Sequence, residues 1–271
     1  MFVVSGFCVI FVSSNSSSFI KQQSTMIKVQ IFLFRVADNI ILFRVAPSDN
    51  QKITLGNKSI VQTYTFSKTQ LEYIRTAENT VFGIVENDHT NCMDCPFSKN
   101  QNYSGGGKCY THKFPQLRAF HSILKSIARK YPTFESIPEV DGENVPAELL
   151  KAVQGKYVRF GTYGEPVVIP FKWVAEICQV AKNWTSYTHQ WANPDYQDFK
   201  SYFMASVHNP EQAEMASAMG WRYFETFRKD ETPSMGSILC PADREKVSCE
   251  KCGLCSGVNG KGNKNIHILY H

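Results

Sequence analysis

Apolar residues recur along the chain at two spacings. Leu117, Phe120, Leu124, Ile127, Ala128 and Tyr131 stand three or four residues apart or side by side. They share one face of a helix, which predicts an amphipathic helix over residues 113–131. Strand-forming runs occur at Ile60, Val61, Thr63, Tyr64, Thr65 and Phe66, and again at Thr80, Val81, Phe82, Ile84 and Val85, and predict two strands. Residues 146–155 read as a short helix with Pro146 at its first turn and Gly155 just past its end. Residues 157–160 are a strand, 170–183 a helix opened by Pro170, and 184–190 and 202–207 two more strands. Asn209-Pro210-Glu211-Gln212 is a helix start, with an N-cap, Pro at the first position and Gln at the third. That helix ends at Gly220, a strand follows over 221–227, and a strand over 265–270 closes the chain.

Strands alternating with helices at these distances predict an α/β fold with a largely parallel sheet. A partial (β/α) barrel-like arrangement and an open doubly wound sheet both satisfy the order. The glycine fingerprints of dinucleotide and P-loop sites are missing from the sequence. Three regions are expected: residues 1–57 as a loosely constrained extension, 58–227 as the α/β unit, and 228–271 as a C-terminal segment that includes the long loop 228–262.

The extension opens on an apolar stretch, residues 2–12, with no Lys or Arg before it. It is shorter than the roughly 20 residues a bilayer needs. The expectation is an upstream extension with Met26 as a later start, set against a weak signal peptide. The pentapeptide LFRVA occurs at 33–37 and again at 42–46, too few copies for a repeat architecture.

Across 271 residues, 43% hydrophobic and 13% aromatic content suffices for a buried core. The formal charge of +5 is spread along the chain, so nucleic acid is permitted as a partner but not favoured.

Nine cysteines in a chain this long do not make a disulfide scaffold. Seven fall into two groups with the two-residue gaps of metal ligation, which points to a reducing compartment. The first group is Cys92, Cys95 and Cys109, with a Ser-Gly-Gly-Gly turn at 104–107 between the second and third. Three thiolates suit a four-iron cluster with one open iron. With His112 three residues beyond Cys109, or with His89, they also suit a zinc ion. The second group is Cys240-Pro241 followed by Cys249, Cys252 and Cys255. This resembles ferredoxin ligation with the remote cysteine placed first, and its alternative is a zinc knuckle stapling a loop. Cys178, among Val174, Ile177 and Ala181, reads as a buried small hydrophobe.

Ends of parallel strands gather α/β sites. There the sequence offers Gly161, Gly164 and Glu165 after one strand, His189 after the next, Ser206 and His208 after a third, and Arg222 and Glu225 on the last. Glu165 suits an amine or hydroxyl, His189 a base or ligand, and Arg222 a carboxylate or phosphate. The two glycines suit close approach of a ligand to the backbone.

CMDCPF and GGKCY, RFGTYGEP, YTHQW, MASV, the Gly220-Trp221-Arg222 turn and CEKCGLCSG follow one another in this order. Together they resemble a family of bacteriophage and prophage proteins with no assigned activity. The resemblance covers about residues 58–271 and implies a protein acting in the host cytoplasm. A more distant resemblance is to radical S-adenosylmethionine enzymes. It implies a partial barrel, a three-cysteine cluster and a Gly-Glu-Pro segment that contacts the methionine amine, matched here by Gly164-Glu165-Pro166. The spacing of Cys92, Cys95 and Cys109 departs from the Cys-x3-Cys-x2-Cys of those enzymes.

The functional expectation is an iron–sulfur protein with one or two four-iron clusters and an open cluster for radical-type chemistry, S-adenosylmethionine being the implied co-substrate. Its alternatives are a zinc-stapled protein that binds a host or phage macromolecule and a non-catalytic redox protein. A small molecule or a host macromolecule is the expected partner, and a membrane is not.

Overall fold

The fold was analysed in a computed structural model, which describes residues 29–48, 50–56, 58–98, 109–112 and 114–269. Residues 1–28 of the first expected segment, with Cys8, the apolar stretch and Met26, lie outside the described residues, as does the 104–107 turn.

The chain begins with strands β1 (Gln30–Val36), β2 (Asn39–Pro47) and β3 (Ser59–Ser67) and helix α1 (Lys68–Arg75). The short helical turns α2 (Gly83–Glu86) and α3 (His89–Cys92) follow, then the long helix α4 (Phe114–Lys130). After α5 (Ala147–Val153) come β4 (Tyr157–Tyr163), α6 (Phe171–Val180), β5 (Asn183–Thr185) and β6 (Tyr187–Thr188). The remainder is β7 (Met204–Val207), α7 (Pro210–Ala218), β8 (Tyr223–Phe227), β9 (Ser237–Leu239), α8 (Pro241–Arg244), α9 (Cys249–Cys252) and β10 (Asn265–Leu269).

Two five-stranded sheets result. The first runs β1-β2-β3-β4-β5, antiparallel as far as β3 and parallel from there. The second, β6-β7-β8-β10-β9, is parallel throughout. Both strand orders are linear, so the described residues form no closed barrel.

Three differences from the sequence reading have physical causes. Residues 30–47, expected to be loosely constrained, supply β1 and β2, and the two LFRVA copies are the arms of one hairpin, with Leu33 opposite Leu42 and Phe32 opposite Phe43. Successive β2 residues bury on opposite faces. Ile40 and Leu42 pack with Leu71, Leu117, Phe120 and Leu124 of α1 and α4, while Ile41 and Phe43 pack with Leu149, Trp173, Val174 and Ile177 of α5 and α6. A strand covered on both sides reads as a continuous apolar run and not as an alternation.

The strand expected over Thr80–Val85 is instead a turn leading into α2. Thr80 Oγ1 accepts the Gly83 N–H at 3.1 Å, and Gln70 Nε2 reaches the Ile84 carbonyl at 3.2 Å. These local and tertiary bonds override β propensity. The strand expected over 184–190 divides at Ser186, whose N–H goes to the Cys255 carbonyl (3.1 Å) and whose carbonyl accepts from Met204 N (3.1 Å). There the chain leaves the first sheet and enters the second.

Candidate metal centres

The first cysteine group is built on α3 and the loops around it. Asn91, fully buried on α3, donates through Nδ2 to the Thr65 carbonyl near the end of β3 (2.9 Å), and its own carbonyl accepts from Glu165 N (3.3 Å). Asp88 just before α3 ties the loop together: Oδ1 accepts from Ser98 Oγ at 2.6 Å, and Oδ2 meets His112 Nε2 at 2.8 Å. Ser98 follows Cys95 and His112 follows Cys109, so one buried carboxylate joins both arms of the group. Burial pushes the Cys92, Cys95 and Cys109 thiols up. Cys92 is raised further by Cys95 and Cys109, and Cys95 by Cys109.

This group faces the ends of successive parallel strands. Cys95 Sγ lies 3.9 Å from His189 Nε2, just after β6. His189 Nε2 meets His208 Nε2 at 3.1 Å, and His208 Nδ1 meets Thr226 Oγ1 on β8 at 2.6 Å. Phe97 sets its edge against both imidazoles, with ring centroids 6.1 Å and 4.5 Å away. Burial lowers the two histidines, His189 to about 3 and His208 to about 4. Glu165 is 3% exposed; its Oε2 accepts from His189 N at 3.2 Å and its Oε1 has no hydrogen-bond partner. Burial raises its carboxyl to about 7, tempered by the Thr188 hydroxyl and the N–H groups of His189 and Val167.

The second group lies against the opposite ends of β4 and β5. Cys249 packs on Tyr157, the first residue of β4. The N–H groups of Cys249 and Glu250 go to the carbonyls of Lys52 and Ile53, each at 2.9 Å. Asn183, which opens β5, donates to the Glu250 carbonyl at 3.3 Å. Cys240 and Cys255 share a small core with Met204 and Ile266. Burial raises Cys249 and Cys255, and each is raised further by Cys240 and Cys252. β4 runs from Tyr157, beside Cys249, to Tyr163, two residues before Glu165, a length of about 20 Å for seven extended residues.

Several expected site residues have other work. Arg222 does not face the strand-end site; its guanidinium donates to the carbonyls of Gly257 (2.8 Å), Leu254 (2.7 Å) and Lys264. Glu225 accepts from the backbone N (2.9 Å) and Oγ (3.0 Å) of Ser234 and so fixes the loop after β8. What lies over the two glycines is protein. A side chain at Gly161 (φ +64°) would meet Pro166, and one at Gly164 (φ +77°) would meet Thr65 and Asn91. They let β4 and the first cysteine loop pack closely. Ser206 is buried within β7 opposite Phe224, two residues before His208 and on the same face. Cys178 is buried, as its neighbours predicted. Asp88, Asn91 and Thr226 escaped the sequence reading because their partners are distant in the chain.

The seven cysteines of both groups are free thiols, as is Cys178. Among the described residues no three Cys, His, Asp or Glu side chains stand as a ready-made metal site. The donor chemistry nevertheless fits a metal centre. Several buried thiols that repel one another on ionisation are stabilised as thiolates by a shared cation. Among the described residues no helix is long and apolar enough to cross a membrane. Compared with protein families, curated proteins and solved structures, the chain matches none.

Proposed function

We propose that the chain is a phage-type iron–sulfur protein of the radical S-adenosylmethionine kind. Cys92, Cys95 and Cys109 hold an open cluster, and Cys240, Cys249, Cys252 and Cys255 hold a closed one. The observation that carries this reading is that Cys95 of the three-cysteine group stands beside His189, where the strand-following loops gather, while Cys249 of the four-cysteine group packs at the start of β4. Three protein ligands leave one iron of a four-iron cluster exposed, whereas four leave none. An open cluster supplies one-electron chemistry to a ligand on that iron.

In this reading β3 to β8 form a partial (β/α) barrel around the site. Glu165 receives the amino group of S-adenosylmethionine through the carboxylate oxygen that lacks a partner. Burial keeps water from that contact and strengthens it. His189 and His208 stay neutral and present ring nitrogens to the substrate, a small molecule or a segment of a host macromolecule in the host cytoplasm.

A second reading, a zinc-stapled binding protein, is favoured by one contact. Asp88 bonds His112 in the carboxylate–histidine manner that orients zinc ligands. That would gather Cys92, Cys95, Cys109 and His112 around a single ion.

Electron paramagnetic resonance of the anaerobically purified, reduced protein separates the two. The first reading expects two cluster signals, one of which changes when S-adenosylmethionine is added and cleaved. An unchanged spectrum and intact S-adenosylmethionine from fully loaded protein would remove the catalytic proposal. A colourless protein carrying zinc would favour the second.

A further inference from the structure

Arg222, just before β8, is 8% exposed. Its Nη1 donates to the Gly257 carbonyl at 2.8 Å and its Nη2 to the carbonyls of Leu254 (2.7 Å) and Lys264. Its Nε is buried without an acceptor. Among the described residues it forms no ion pair. A guanidinium does not give up its proton in a protein, so this is a fixed positive charge taken out of water. Carbonyl dipoles offset part of that cost, and a full counter-charge is missing.

The clasped carbonyls show where the counter-charge belongs. Leu254 and Gly257 flank Cys255, so the guanidinium embraces the loop that carries this thiol. Burial works against the charged guanidinium, and an ionised Cys255 would favour it. A second guanidinium, Arg159 on β4, favours an ionised Cys249. Four thiolates outweigh the charge of a divalent ion or a four-iron core, so a loaded second group is net negative.

We propose that Arg222 is the counter-ion of the second metal centre, a positioning residue whose fixed charge favours an anionic four-thiolate site at Cys240, Cys249, Cys252 and Cys255. The inference rests on that group holding a metal, whether iron–sulfur or zinc.

The test uses cobalt(II) as probe, added to the full chain after anaerobic reduction and metal removal. The thiolate charge-transfer absorption lost in Cys252→Ser is assigned to the second group, and chelator competition then gives the affinity. Arg222→Gln, which keeps an amide donor but not the charge, is expected to weaken binding by about tenfold or more. Arg222→Lys, which keeps the charge but not the fork, is expected to stay within about threefold of the parent. If Arg222→Gln does not fold, Arg222→citrulline supplies a neutral residue of the same shape. Equal weakening by the neutral and the Lys variants would make Arg222 a loop clamp and overturn the proposal, as would no weakening at all. If the parent chain shows no absorption that Cys252→Ser removes, the metal-centre reading itself fails, before the arginine variants are compared.

Discussion

Cys95 Sγ and His189 Nε2 stand 3.9 Å apart although ninety-four residues separate them in the chain. Their contact joins the first cysteine loop to the end of β6, and the line continues through His208 to Thr226 on β8. Three successive strand ends thus face one thiol group, and each contributes a polar side chain to the same small volume.

His208 is the middle member of that line. His208→Ala should strand the buried His189 nitrogen and the Thr226 hydroxyl, costing about 1–3 kcal/mol. Denaturant unfolding at matched metal content measures this. An unchanged midpoint would mean the imidazole pair contributes nothing to the fold.

Glu165 should make stability depend on pH. Its folded-state value of about 7 lies above the ordinary 4.5. The neutral form therefore contributes stability that is complete below pH 4.5 and is lost as the pH rises through 7. Between those limits the loss amounts to about 3 kcal/mol at most. Glu165→Gln removes the titration, so the variant should gain on the parent between pH 4.5 and pH 8 by up to that amount. Unfolding at the two pH values with metal content matched checks it, and a difference independent of pH would contradict the assignment.

Gly164→Ala should be severely destabilising. The position has φ +77°, and the new methyl would enter the space of Thr65 Oγ1 and the Asn91 amide. Strain and overpacking together should cost about 2–4 kcal/mol. Because Asn91 anchors α3, the first group should lose metal before the second. Thermal melting with metal analysis tests both parts, and a normal melt with full occupancy would refute them.

Glu250, between Cys249 and Cys252, latches the segment before β3 onto the second group. Burial pushes its carboxyl up, but Thr54, Lys182 and Lys58 hold it below the usual range. Thr54 Oγ1 donates at 2.8 Å, Lys182 Nζ at 3.0 Å and Lys58 Nζ at 3.3 Å. Glu250→Ala should cost about 1–3 kcal/mol and speed proteolysis at residues 50–58. Unaltered cleavage there would show that the latch is not closed by this residue.

The legible parts of the sequence were those with local causes. Pro170, Asn209 and the spacing of Leu117, Phe120 and Leu124 announced α6, α7 and α4, because caps and helical faces are decided within a few residues. The hairpin of β1 and β2 was not legible, since strands buried on both faces lose the alternation that identifies them. Thr80–Val85 misled because a Thr80 cap and a Gln70 bond outweighed strand propensity. The role of Arg222 could not be read at all, because its three carbonyl partners lie 32, 35 and 42 residues away.

The most direct measurement is the content of iron, acid-labile sulfide and zinc per chain in protein purified without air. Two cysteine centres of the proposed kind predict iron and sulfide in equal amounts, about eight of each per chain, with the three-cysteine share lost in Cys95→Ser and the four-cysteine share in Cys252→Ser. A chain that carries neither iron nor zinc, with all seven thiols open to alkylation after mild unfolding, would contradict the account.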